Sequence, residues 1–476
     1  MEFSAHEMQA MADQVVARCI EHIASLAQQP LYGVQNAEAL CVQIREASPR
    51  GAAPLSSLLD DLFERFIPQS FNTPAPGYLA YIPGGGLYPA ALADFIANTT
   101  NRYTGIWQAA PALVQLEANA LDWLREWMGM PSGTTGVFTT GGSMATFNAV
   151  LCAREQYLGA EIRCGVLYTS DQAHHCVIKS AKLAGIMPDR VRSIPVDDRY
   201  RVRVDLLRRA IEQDRADGLT PFMVVSNAGT TNTGAVDPLS EVADLCEREH
   251  LWHHVDGAYG AFFQLCEETR PVLEGIERAD SLTLDPHKGM FMPYGTGALL
   301  VRDGARLRAA HEATAGYLPD MPSPADFYDP SQHGPDLSRG FPGLRIWLTV
   351  KLYGADAFRL AITEKRALAL DAAARMEALV HVVIDAPPEL SLFPFHITWS
   401  GASQAEEDEA TRRVVVDTSN SGRVMISGAV VGTRYVGRVC VLSFRTHQEQ
   451  IDALIEDLRD AVSAIVPVAC GRDEAD

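Results

Sequence analysis

The sequence predicts an α/β protein with a mostly parallel central sheet, an N-terminal helical segment ahead of it and a small α+β C-terminal domain behind it. Three observations carry this. From about residue 90, short apolar runs alternate with helical stretches such as 113–128, the pattern of parallel strands joined by helical crossovers. Ahead of that, apolar side chains recur at helical spacing. Past about residue 365, strand-like runs return and end in one amphipathic tail.

Bulk properties narrow the classes. A chain of 476 residues is long for one core, so two or three lobes are expected. With 47% hydrophobic and 21% charged residues it has ordinary globular composition, which excludes disorder. A formal net charge of -20 repels phosphate backbones and makes nucleic acid an unsuitable partner. The 9 cysteines include no CxxC pair, so neither a disulfide framework nor a zinc site is expected, and no metal. The first residues lack a basic stretch followed by an apolar one. No apolar run nears the ~20 residues that span a bilayer. The expectation is a cytoplasmic protein with no membrane contact.

Residues 1–86 form the helical segment. Met8, Met11, Val15, Cys19, Ile23 and Leu26 fall on one face, and Leu55, Leu58, Leu59, Leu62 and Phe66 make a second stripe. A Pro/Gly-rich crossing, TPAPGYLAYIPGGGLYP, leads into the large domain, 87–365. Its strands are read at 136–140, 165–170, 222–227, 251–256, 281–285 and 297–302. A proline-rich stretch from Tyr317 to Gly343 interrupts the alternation and reads as a lid loop. In the small domain, 366–476, RRVVVDTS, GRVMISGAVV and RVCVLSFRT read as strands, and Ile451, Leu454, Ile455, Leu458, Val462 and Ile465 as a helical face.

The polar residues just after the apolar runs point to chemistry, because ligands of open α/β sheets bind beyond the carboxyl ends of the strands. Gly141-Gly142-Ser143 follows the first run and opens a helix, offering free N–H groups to a phosphate. His174 follows the second, Thr230-Thr231 the third, Asp256-Gly257-Ala258 the fourth, and Asp285-Pro286-His287-Lys288 the fifth. Each alone has a plainer reading: a capped turn, a satisfied histidine, an exposed loop lysine. Together they supply a phosphate cup, an aromatic ring, an acid and an amine, a set suited to an aldehyde cofactor with a phosphate and a pyridine ring.

The stretches AYIPGGGLYPAALADF, TTGGSMATFNAVLCARE, SDQAHHCVIKSAKLAG, SNAGTTNTGAVDPLSEVADL, HHVDGAYGAF, DSLTLDPHKG and GRVCVLSFRT span most of residues 75–450. They resemble the group II pyridoxal-5′-phosphate decarboxylases, which act on aromatic amino acids, histidine and glutamate. The resemblance implies fold type I, the aspartate-aminotransferase-like fold, and a homodimer with active sites at the subunit interface. It implies Lys288 as the lysine bonded to the cofactor aldehyde and Asp256 as the acid facing the pyridine nitrogen, where a nearby carboxylate favours the protonated ring. It implies His174 stacked on that ring, Gly142 and Ser143 at the phosphate, Thr231 and Ala258 against the ring, and His287 orienting the cofactor. His175 and His254 read as structural.

The family protonates the substrate α-carbon from a tyrosine on a mobile loop. Tyr328 is the candidate and Tyr317 the next in line. Tyr81, Gly84, Tyr103 and Trp107 are expected to border the substrate, with Gly84-Gly85-Gly86 widening the site for a bulky side chain. The expected reaction is decarboxylation of an aromatic or otherwise bulky L-amino acid to the amine and CO2. The alternatives are decarboxylation with oxidative deamination to an aldehyde, another lyase or transaminase reaction on the same fold, or a catalytically silent binding protein.

Overall fold

In the computed structural model, residues 2–33, 37–312 and 327–465 are described. The large domain is built on seven strands: β1 Thr135–Thr139, β2 Gly165–Ser170, β3 Val191–Ile194, β4 Thr220–Asn227, β5 Trp252–Asp256, β6 Ser281–Leu284 and β7 Gly297–Val301. They lie in the order β1-β7-β6-β5-β4-β2-β3. β7 runs antiparallel to both neighbours, and all other pairs are parallel. Six of the seven match apolar runs legible in the sequence. The short edge strand β3, reading VRSI, was too brief and too polar to stand out.

The inner strands are continuous apolar runs because helices cover both faces. Alternate residues serve different cores: Met223 and Val225 pack with Leu167 and Trp252, whereas Val224 packs with Val166 and Tyr168. The parallel strands therefore end together, with Ser170, Asn227, Asp256 and Leu284 at one rim.

The small domain has strands β8 Val382–Ile384, β9 Leu392–Ile397, β10 Ser427–Val431 and β11 Arg434–Cys440, antiparallel in the order β10-β11-β9-β8. The expected strand RRVVVDTS instead lies in the helix Gln404–Asn420. The reason is local. Ser403 and Glu406 form a capping box that starts the helix. Ala410, Thr411, Val414, Val415 and Thr418 then bury one helical face, which outweighs the β preference of three valines. In GRVMISGAVV the strand begins only at Ser427.

The domain limits expected at 86/87 and 365/366 do not coincide with breaks in packing. Leu79 belongs to the small-domain core, and its N–H donates to the Met425 carbonyl at 2.8 Å. Residue 365 falls inside the helix Ala355–Glu377. Phe358 and Ile362 of that helix join the large core, and Leu368, Ala369, Ala372, Ala373 and Met376 the small one.

The N-terminal helix Ala5–Ala24 is capped by Ser4 and Glu7. It buries none of its side chains, and Met8 and Val15 of the expected stripe stand exposed. Arg18 ties it to Asp60 and Glu64 at 3.0 and 2.9 Å. No helix among the described residues is long and apolar enough to cross a membrane.

Candidate active site

At the shared rim of β4, β5 and β6 lies a cavity of about 300 Å3. All eight residues expected to hold a cofactor line it: Gly142, Ser143, His174, Thr231, Asp256, Ala258, His287 and Lys288. The convergence follows from topology, because each belongs to the segment that follows a strand of the same sheet.

On one side the helix Gly142–Tyr157 points its N-terminus into the cavity. Its first N–H groups have no partner within the helix and carry the positive end of its dipole. Space is tight at Gly142. A β-carbon would lie 3.0 Å from Asp285 Oδ2 and 3.2 Å from the Ala258 methyl.

Opposite, β5 delivers Asp256, which is buried and accepts the Ala258 N–H at 3.1 Å. Burial raises its pKa, and the Lys288 charge and that N–H pull the other way. Beyond β6, Lys288 Nζ lies 2.9 Å from Asp285 Oδ2. Burial works against the Lys288 ammonium, but Asp285 and then Asp256 outweigh it and hold its pKa above the usual lysine value. Asp285 was not among the expected site residues. Its signal was present, since it ends its strand as Asp256 ends β5.

His174 is pushed down to about 4, chiefly by burial and then by His175 and Lys288, so its ring is neutral at pH 7. Its Nδ1 accepts the Cys176 N–H at 3.3 Å, which assigns the proton to Nε2 and leaves an N–H to donate. His287 Nδ1 bonds the Thr296 carbonyl at 2.8 Å, so this ring is fixed from behind. His254, read as structural, is fully buried between Ser281 and Thr283, bonded to each at 2.8 and 3.2 Å. His175 is exposed, with its ring 4.1 Å from that of His174.

Two further residues shape the floor. Asn227 lines the cavity and is fixed by Asp237 and Ser170 at 2.8 and 3.2 Å. Arg438 on β11, almost wholly buried, donates to the Thr231 carbonyl, to that of Asn232 at 3.0 Å and to Ser427 Oγ at 3.0 Å. It locks the Thr231 loop to the small domain. The Arg438 contacts are not legible in the sequence, because they span some 200 residues.

The residues assigned to the substrate are not brought to this cavity within the chain. Tyr81 is exposed beside Phe71 and Tyr78, with ring centroids 6.2 and 6.5 Å away. Tyr103 donates its hydroxyl to the Leu337 carbonyl at 3.0 Å, and Trp107 packs on Phe327 at 4.8 Å. Gly84 does not widen the site. A β-carbon there would meet the His287 carbonyl oxygen at 2.1 Å, so this glycine lets two backbones pass. Arg445 holds the neighbouring Gly85 carbonyl.

Tyr328 is also elsewhere. It is half-buried against His333, ring centroids 5.0 Å apart, with its phenol oxygen enclosed beside Glu117 and Arg339. Burial, then Glu117, drives its pKa upward. It does not line the Lys288 cavity of its own chain. Tyr317 lies outside the described residues.

The cavity fits pyridoxal 5′-phosphate. It offers an amine for the aldehyde, a buried carboxylate for the pyridine nitrogen, a neutral ring for stacking and helix N–H groups for the phosphate. The comparisons agree. The pyridoxal-dependent decarboxylase conserved domain matches residues 38–398. The aromatic-L-amino-acid decarboxylase of Bacillus atrophaeus is 34% identical, over 98% of each chain. The crystal structure of Oryza sativa TDC with PLP and tryptamine superposes with a TM-score of 0.92 at 25% identity, covering 98% of this chain and 100% of that one. Rhodiola rosea 4-hydroxyphenylacetaldehyde synthase does so with a TM-score of 0.91 at 25% identity and the same coverage. The chain belongs to the pyridoxal-dependent decarboxylase family: it is a fold type I enzyme that uses pyridoxal 5′-phosphate to remove CO2 from an amino acid.

Proposed function

We propose that the substrate is an aromatic L-amino acid, that the product is its amine, and that the working form is a homodimer. The carrying observation is the meeting of Lys288, Asp256 and His174 in one cavity. When bound, the cofactor supplies an aldehyde that captures an amine and a pyridine ring that draws off the electron pair left by departing CO2.

Lys288 would tether the cofactor through Nζ, the atom that lies 2.9 Å from Asp285 Oδ2 in the chain. Asp256 keeps a proton on the pyridine nitrogen. With Lys288 committed to the cofactor, the buried carboxylate needs another positive partner, and the ring N–H is one. Gly142 and Ser143 receive the phosphate at the helix N-terminus. Neutral His174 stacks on the ring and offers Nε2–H to the substrate carboxylate. Thr231 and Ala258 bound the ring, and His287 orients it.

The proton for the α-carbon is assigned to Tyr317, the second loop tyrosine, because Tyr328 does not line the cavity within its own chain. An aromatic substrate is supported by the names of the relatives. It is supported too by the lining itself, where Lys288 is joined by no arginine that could pair a second carboxylate. The dimer is supported by the uncovered helix Ala5–Ala24 and by exposed Tyr81 and Tyr103, which need a second chain to reach a substrate. Eight free thiols among the described residues support a reducing compartment, the cytoplasm.

The test is to incubate holoenzyme with L-tryptophan, L-phenylalanine, L-tyrosine, L-histidine and L-glutamate and to measure CO2, amine, aldehyde and hydrogen peroxide. Equal CO2 and amine from the aromatic substrates is expected. Aldehyde and peroxide instead of amine would establish the oxidative alternative. CO2 from histidine or glutamate alone would overturn the substrate class.

A further inference from the structure

One buried group in the cavity has no place in the roles above. Asp285 follows β6 directly, is 3% exposed, and lines the cavity. Its Oδ2 contacts Lys288 Nζ at 2.9 Å and lies 3.7 Å from His287 Nε2. Its Oδ1 is buried with no hydrogen-bond partner among the described residues.

Its position relative to the helix N-terminus is the informative point. Oδ2 stands 3.0 Å from where a β-carbon of Gly142 would be, and Oδ1 3.9 Å from that of Gly141. A carboxylate therefore occupies the edge of the cup that receives the phosphate. The cavity holds two acids, Asp256 and Asp285, against the Lys288 amine, while burial lowers the pKa of both lining histidines, His174 and His287. Cofactor binding makes this imbalance worse on the Asp285 side. It adds a phosphate, and it takes the Lys288 amine out of its pairing with Asp285. Asp256 gains the ring N–H, whereas Asp285 gains nothing.

We propose that Asp285 sets the affinity of this site for its cofactor: it holds the Lys288 ammonium when the site is empty and opposes the phosphate when it is filled, so that the chain binds the cofactor more weakly than its donor set allows. The proposal rests on reading Gly141–Ser143 as the phosphate cup. Two like charges that share a partly desolvated cavity repel each other. Removing one of them without changing shape relieves that repulsion, and replacing an oxygen by an N–H2 group adds a donor aimed at the phosphate.

The experiment measures dissociation constants on cofactor-free protein for three probes. They are pyridoxal 5′-phosphate, pyridoxine 5′-phosphate, which cannot link to Lys288, and pyridoxal, which has no phosphate. Asp285→Asn is expected to tighten both phosphate-bearing probes by about tenfold, the factor that ~1.4 kcal/mol represents, and to change pyridoxal by much less. Asp285→Ser, smaller and uncharged, is expected to tighten pyridoxine 5′-phosphate in the same direction, which guards against a fold defect peculiar to one variant. Equal tightening of pyridoxal would mean that Asp285 acts only through Lys288, and unchanged or weaker phosphate binding in both variants would also overturn the proposal. Ser143→Ala tests the cup itself. If it weakens pyridoxine 5′-phosphate while Asp285→Asn changes nothing, the cup stands and the role of Asp285 falls; if it weakens none of the probes, the cup reading is wrong.

Discussion

Every side chain assigned to the cofactor lies in a segment following a buried strand, whereas Tyr81, Tyr103 and Trp107, assigned to the substrate, sit outside the cavity of the same chain. The contrast has a physical origin. A parallel sheet brings the ends of β4, β5 and β6 to one rim whatever else the chain does. The residues there are fixed by short loops, buried hydrogen bonds and, at Thr231, by Arg438 from the small domain. The aromatic residues lie on segments that the single chain leaves uncovered. One chain builds a complete floor for the cofactor and only part of a wall for the substrate, and that is what an interface active site requires.

If the floor is complete within one chain, its loss should be total and local. Lys288→Ala should remove the covalent attachment, so that borohydride reduction no longer adds the mass of the cofactor to the protein, and turnover should vanish. A persisting reducible adduct would place the tether on another lysine. Asp256→Ala should leave a folded chain with weakened cofactor binding. Its turnover at saturating cofactor should fall on the order of a hundred- to a thousandfold, as expected when a preorganised charge is removed from a desolvated site. Near-normal turnover would show that the ring does not depend on this carboxylate.

If the wall needs a second chain, breaking the dimer should damage catalysis and spare the cofactor. Met8→Glu with Val15→Glu places two charges on the apolar stripe of the helix Ala5–Ala24, where no residue is buried within the chain. Sedimentation should show a monomer that still binds pyridoxal phosphate, with kcat/KM lower by about tenfold or more, the scale of mispositioned substrate groups. A fully active monomer would move the substrate wall back into one chain.

The same contrast explains what was legible in the sequence. The floor could be read because a buried strand is a continuous apolar run and its polar end residue stands out, as with Asp256 after LWHHV. The family resemblance then supplied the roles. Asp285 was overlooked although the same signal marked it, because no role called for a second acid. The misread helix at RRVVVDTS shows where local β preference misleads, since the Ser403–Glu406 cap and the 3.6-residue face decided the outcome. Gly84 shows another limit. Three successive glycines suggest open space, but only the fold shows that at Gly84 the His287 carbonyl excludes a side chain. The substrate wall is harder to read for a simpler reason: if a second chain completes it, contacts between chains leave no periodic trace in either sequence.

The smallest expected effect is at Tyr328, and it separates floor from wall most finely. Release of CO2 needs the tether, the protonated ring and the stacked histidine, and none of these needs a loop phenol. Return of a proton to the α-carbon does need a donor within hydrogen-bond reach, roughly 2.6–3.2 Å. Tyr328 packs against His333 with its hydroxyl beside Glu117 and Arg339. Deleting that hydroxyl removes a desolvated polar group and at most a weak contact with Arg339, so Tyr328→Phe should shift stability by no more than about 1 kcal/mol, in either direction. It should leave the ratio of amine to CO2 unchanged. Tyr317→Phe is the companion measurement. If Tyr317 is the donor, CO2 release continues in that variant while aldehyde and peroxide appear at the expense of amine. Should Tyr328→Phe divert the product and Tyr317→Phe leave it intact, the half-buried position of Tyr328 would have to open during turnover, and the roles of the two tyrosines would be exchanged.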